Sequence, residues 1–133
     1  MAYRKIALLT GGGDAPGLNG VIRAIVKTVK NRYGIEEVIG FRDGFAGLVR
    51  NSYISLNLER VSGILHRGGT ILGTSNRDNP FRFPVVADGK VTYQDVSRQA
   101  LENLRALGVE VLIAIGGDGS LSIGWEFHKL GLN

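Results

Sequence analysis

Two short apolar runs each end in a cluster of glycines followed by a helical pattern, and this feature constrains the fold most. Lys5-Ile6-Ala7-Leu8-Leu9-Thr10 runs into Gly11-Gly12-Gly13-Asp14, and Val109-Glu110-Val111-Leu112-Ile113-Ala114-Ile115 runs into Gly116-Gly117-Asp118-Gly119-Ser120. A nearly continuous apolar run bounded by glycine reads as a parallel strand covered on both faces. After Pro16-Gly17, apolar residues recur at Leu18, Val21, Ile22, Ile25, Val26 and Val29. That is the spacing of a helix with one face on a sheet. Gly34 follows where a left-handed residue closes helices, and Glu37 to Phe41 reads as the next strand. Strand, glycine loop, helix and strand form a βαβ unit.

The rest of the chain is punctuated unevenly. Between residues 42 and 90 seven glycines and two prolines divide the sequence into short pieces, with a short helix expected over Leu58 to Leu65. Val85 to Lys90 reads as a strand end or hairpin. Thr92-Tyr93-Gln94-Asp95 has the form of a capping box, and Val96, Ala100, Leu101, Leu104 and Leu107 continue with helical spacing up to Gly108. A last helix is expected over Ser120 to Leu130, carrying Trp125 and Phe127 as core or interface aromatics. The expected fold is α/β, a Rossmann-like three-layer sandwich with a mainly parallel sheet. Residues 1–133 suffice for one domain with a single core.

The glycine loops carry the chemistry. In open parallel sheets ligands lie beyond the carboxyl ends of the strands, where both loops fall. Glycine lets the backbone approach an anion without a Cβ between them, and the helix N-terminus behind it offers free N–H groups. Neither loop has the Walker A spacing, and Gly11 to Asp14 lacks the Rossmann dinucleotide spacing. A carboxylate at Asp118 beside phosphates is repelled by them unless a divalent cation intervenes. The competing reading makes Asp118 the cap of the next helix. Asp14 faces the same choice, or bonds within its own loop. Arg67 and Arg77 flank a third glycine segment and either meet developing phosphoryl charge or lie solvated on the surface. His66 and His128 are isolated and read as structural or exposed.

Composition excludes other classes. There is no cysteine, so neither a disulfide framework nor a thiolate zinc site can form. The net charge is +4, but Lys and Arg are dispersed without a basic run, which favours small anionic ligands over nucleic acid. No apolar run approaches a bilayer span and the N-terminal one is too short for a secretory signal, so the expected setting is cytoplasmic, without membrane contact.

Three segments together resemble the 6-phosphofructokinase family. They are Leu9-Thr10-Gly11-Gly12-Gly13-Asp14-Ala15-Pro16-Gly17-Leu18-Asn19, then Arg67-Gly68-Gly69-Thr70-Ile71-Leu72-Gly73-Thr74-Ser75, then Ile115-Gly116-Gly117-Asp118-Gly119-Ser120-Leu121. The resemblance implies transfer of the γ-phosphoryl of ATP to fructose 6-phosphate, giving fructose 1,6-bisphosphate in glycolysis. It implies that Gly13 and Gly117, Asp118, Gly119 and Ser120 meet the donor phosphates, with Asp118 on Mg²⁺ and Arg77 and Asp78 beside the donor. Glycine at 119 is the residue of ATP-using members, where pyrophosphate users commonly carry an acid. The family's catalytic aspartate lies in a Thr-Ile-Asp-Asn-Asp motif, expected beyond Asn133, so the chain resembles the nucleotide-binding N-terminal part of a homo-oligomeric enzyme. The alternatives are a non-catalytic nucleotide-binding fragment or homologue, a pyrophosphate-dependent member, or a kinase of the NAD or lipid type that shares only the Gly-Gly-Asp-Gly loop.

Overall fold

In a computed structural model, residues 3–11, 17–75 and 78–133 are described. Strand β1 (Lys5–Thr10) lies inside the sheet, and its alternation creates two cores. Ile6 and Leu8 point to one face and Ala7 and Leu9 to the other, all buried. On the first face helix α1 (Leu18–Asn31) buries Ile22 and Val26, as its spacing predicts. Strand β2 (Glu37–Phe41) then pairs parallel to β1, with Ile6 opposite Val38.

The 42–90 region contains elements too short for a periodic signal. Helix α2 (Phe45–Arg50) follows Gly44, and Asn51 closes it in the left-handed region with φ 58°. Strand β3 (Tyr53–Ser55) returns antiparallel to β2, and helix α3 (Leu58–Val61) occupies only the first part of the segment expected to be helical. Strands β4 (Phe83–Ala87) and β5 (Lys90–Gln94) form a separate hairpin. Its turn is Asp88-Gly89, both with positive φ, as a primed turn requires.

That hairpin corrects the capping-box reading of residues 92–95. Thr92 and Tyr93 pair across the ladder with Val85 and Pro84, so these β-favouring residues are strand, not helix entry. Asp95 closes a local turn instead: its carboxylate accepts the Ser97 amide at 2.9 Å at the first residue of helix α4 (Ser97–Leu107), whose N-cap is Val96 without a side-chain cap bond. Gly108, with φ 74°, ends α4 as its position predicts.

Strand β6 (Val111–Ile115) joins β1 in parallel on the side away from β2, giving the order β3-β2-β1-β6. Helix α5 (Asp118–Lys129) follows, starting two residues before the expected Ser120. Helices α2, α4 and α5 cover the second face through Phe45, Leu48, Ala100, Leu104 and Phe127. The result is a three-layer α/β sandwich with a mainly parallel sheet. On the open edge of β6 the Leu112 amide donates to the carbonyl of Asn133 at 2.9 Å. Phe127 is fully buried, whereas Trp125 is exposed with its ring against His128. Among the described residues no helix is long and apolar enough to cross a membrane.

Candidate functional site

The carboxyl ends of β1 and β6 are adjacent, and the Gly11 amide donates to the Ile115 carbonyl at 2.7 Å. The helices that follow these two strands lie on opposite faces of the sheet. The helix after β1 packs on the Ile6–Leu8 face, and the helix after β6 packs on the Ala7–Leu9 face through Phe127. Such a switch point opens a crevice at the sheet edge without any further device.

The glycines at this crevice divide into two kinds. A Cβ at Gly116 would lie 2.5 Å from the Ser120 hydroxyl and 2.9 Å from the Gly11 carbonyl oxygen, and one at Gly11 would collide with the same hydroxyl. These two glycines let Ser120 wedge between the loops. Gly117 and Gly119 are different: a Cβ at either meets nothing within 4 Å, and both line an open cleft. Ser120 is buried and lines the cleft as well, and its hydroxyl makes no hydrogen bond among the described residues.

The cleft has a volume of about 540 Å³. One wall is α5, whose cleft-lining residues Gly119, Ser122, Ile123 and Glu126 recur at helical spacing. The free amides of the first α5 turn, with their partial positive charge, stand at its end. Ser75, Asp78 and Asn79 line the cleft as well. Ser75 donates its hydroxyl to the Asp78 carboxylate, and Asn79 accepts the Phe81 amide at 2.9 Å. The floor is aromatic: Phe45 and Phe81 both contact Phe127, with ring centroids 6.0 and 5.0 Å away.

Of the residues expected at the donor, Asp78, Gly117, Gly119 and Ser120 therefore line one cleft. Gly13, Asp14 and Arg77 lie outside the described residues. Asp118 is the first residue of α5, exposed and without a hydrogen bond or ion pair among the described residues. The N-cap is Gly117, with no side-chain cap bond, so the capping reading of Asp118 does not hold. Among the described residues no cluster of three or more His, Cys, Asp or Glu could hold a metal by itself. Asp118 is not among the cleft-lining residues, although its neighbours Gly117 and Gly119 are. A lone exposed carboxylate there fits Mg²⁺, which takes one or two carboxylates and completes its shell with water and phosphate oxygens. Arg67 is exposed, and its backbone carbonyl accepts from the Asn19 side chain at 3.1 Å; it is not part of the cleft lining. His66 and His128 are exposed, the latter with a ring nitrogen 3.0 Å from the Leu132 carbonyl.

Sequence reading missed Phe45, Phe81, Ile123 and Glu126 as cleft residues. Ile123 and Glu126 were findable, because they fall four and seven residues after Gly119 on one helical face. Phe45 and Phe81 carried no such signal, since short irregular segments deliver them.

An open, mainly parallel α/β sheet with helices on both faces and a crevice at its switch point defines the class of Rossmann-like α/β proteins. The chain belongs to the phosphofructokinase family: the family model described as Phosphofructokinase matches residues 5–133. It is 52% identical over 131 residues to the ATP-dependent 6-phosphofructokinase 2 of Clostridium perfringens, covering 98% of this chain and 36% of that protein. It is 46% identical over 132 residues to the pyrophosphate–fructose 6-phosphate 1-phosphotransferase of Dictyoglomus thermophilum, covering 99% and 34%. The crystal structure of Pichia pastoris phosphofructokinase in the T-state superposes with a TM-score of 0.80 at 29% identity, over 97% of this chain and 14% of that one. The chain thus spans about a third of the length of these curated relatives. The match includes the first glycine loop, which sets aside a kinase of the NAD or lipid type.

Proposed function

We propose that residues 1–133 form the nucleotide-binding N-terminal part of a 6-phosphofructokinase, the part that holds the phosphoryl donor. The reading takes ATP as donor, fructose 6-phosphate as acceptor and fructose 1,6-bisphosphate as product, in a cytoplasmic homo-oligomer. One observation carries it: Gly117 and Gly119 leave the first turn of α5 open to the cleft at the β1–β6 junction. Backbone amides there meet phosphate oxygens directly, and their fixed dipoles neutralise charge that builds up during transfer without reorganising. Ser120 adds a hydroxyl from within the cleft wall, and Asp78 lines the same cleft. Asp118 would hold Mg²⁺, which would supply positive charge to offset that of the donor phosphates. Gly13 and Arg77 complete the set by resemblance. The aromatic floor of Phe45 and Phe81 gives an apolar surface that a nucleoside can cover and pyrophosphate cannot.

A pyrophosphate donor is the second reading, favoured by the 46% identity to the Dictyoglomus thermophilum enzyme. A non-catalytic nucleotide-binding role is the third. Calorimetry of the chain with MgATP and with magnesium pyrophosphate separates the donors. We expect MgATP to bind more tightly; the reverse order overturns the donor assignment, and no binding of either overturns the site. No turnover of fructose 6-phosphate is expected from these 133 residues, which contain no Thr-Ile-Asp-Asn-Asp motif. With these residues joined to the remaining sequence of a full-length relative, ATP binding without turnover would establish the non-catalytic role.

A further inference from the structure

Thr10 ends β1 and is completely buried, so its hydroxyl must find partners inside the protein. It donates to the Gly73 carbonyl at 2.7 Å. A hydroxyl has one proton to give, so in the 3.0 Å contact with Thr70 the Thr70 hydroxyl is the donor and Thr10 accepts. The Thr70 oxygen in turn accepts the Leu72 amide at 3.1 Å. These bonds run in one direction, from the Leu72 amide through Thr70 and Thr10 to the Gly73 carbonyl, and such chains reinforce one another.

The turn they close is held from the β2 side as well. The Asp43 amide donates to the Leu72 carbonyl at 2.8 Å, from a residue in the left-handed region at φ 55°. Gly73, with φ 77°, passes so close that a Cβ there would lie 2.5 Å from the Asp43 carboxylate. Two residues further on, Ser75 begins the cleft wall that includes Asp78. On its other side Thr10 precedes Gly11, whose amide is bound to β6. One residue thus joins both walls: its side chain holds the 70–73 turn, and the next peptide holds the strand that leads into α5.

We propose that Thr10 is a positioning residue that sets the Ser75–Asp78 wall against the N-terminus of α5. The ligand in this proposal rests on the donor-site reading; the latch itself does not. Thr10→Val keeps the shape but leaves the Gly73 carbonyl and the Thr70 hydroxyl without their partner, whereas Thr10→Ser keeps the hydroxyl.

Amide hydrogen exchange without ligand reads the latch directly. The Leu72 and Asp43 amides should lose protection by about tenfold in Thr10→Val and retain it in Thr10→Ser. MgATP affinity by calorimetry should fall by about tenfold in the valine variant and recover in the serine one. Unchanged protection in Thr10→Val overturns the proposal, as does lost protection with unchanged affinity. Should the wild-type chain bind no phosphate ligand, the donor reading fails while the exchange comparison still decides the latch. Thr70→Val, at a half-buried position, breaks the same chain and replaces Thr10→Val if that variant does not fold; unchanged protection there overturns the proposal equally.

Discussion

Gly11 donates its amide hydrogen to the carbonyl of Ile115 across 2.7 Å, so the chain leaving β1 is bound to the last residue of β6. The first residue after β1 is therefore fixed directly against the start of the second glycine loop. The glycines of the two loops divide the work: Gly11 and Gly116 accommodate Ser120 between the loops, while Gly117 and Gly119 stay open to the cleft.

This division is measurable. Gly116→Ala places a methyl group against the Ser120 hydroxyl and the Gly11 carbonyl oxygen and should destabilise the chain by about 1–3 kcal/mol. Gly117→Ala meets nothing within 4 Å and should change stability by less than about 0.5 kcal/mol. Urea unfolding compares the two. Calorimetry should show the opposite emphasis for Gly117→Ala, with weakened MgATP binding in a chain of normal stability.

Donor choice is tested at position 119. The protein itself has room for a side chain there, and a carboxylate in the first turn of α5 is favourable to the helix dipole. Gly119→Asp should therefore fold normally yet lose affinity for MgATP more than for magnesium pyrophosphate. Equal losses would argue against a steric role for this position.

Asp118→Asn removes the negative charge while keeping the size of the side chain. Asp118 is exposed and unpaired among the described residues, so only its dipole interaction is lost, about 0.3–1 kcal/mol at most. The Mg²⁺ dependence of ATP binding should flatten by about tenfold or more, as expected for loss of a charged ligand. A magnesium titration unchanged from wild type would remove the metal assignment.

The start of α4 should respond to acid. The hydrogen bonds that Asp95 accepts from the Ser97 side chain and backbone hold its carboxyl below the ordinary aspartate value of 3.8. A carboxyl lowered in the folded state stabilises the fold above its unfolded pKa, and that contribution fades as pH falls through the folded one. Wild-type stability should thus decline below pH 3.8 partly through loss of these hydrogen bonds, and Asp95→Ala should lose less over the same window. Urea midpoints for both proteins between about pH 5 and pH 2 provide the comparison, a span that covers the titration of such a carboxylate.

Long periodic segments were legible without coordinates. Ile6 to Leu9 had to be a strand covered on both faces, and Ile22, Val26, Ala100 and Leu104 had to face a sheet, because hydrophobic spacing allows little else. Helix α2 and strand β3 escaped this reasoning, since six and three residues are too few to display a period. Residues 92–95 misled it because a capping pattern is local, whereas pairing with Val85 and Pro84 depends on a partner strand.

The sequence by itself determined that two strand–glycine–helix units exist and that their loops fall at strand ends, because burial and glycine's lack of a Cβ are local constraints. Only the tertiary structure decided that Gly11 and Gly116 serve packing while Gly117 and Gly119 face the cleft. It also decided that Thr10 ties the 70–73 turn to β1 and that Phe45 and Phe81 line the cleft while resting on Phe127. These roles depend on which atoms come within a few ångströms across sixty or more residues of chain, as Thr10 and Thr70 do. Spacing along a sequence encodes faces, and only packing encodes neighbours.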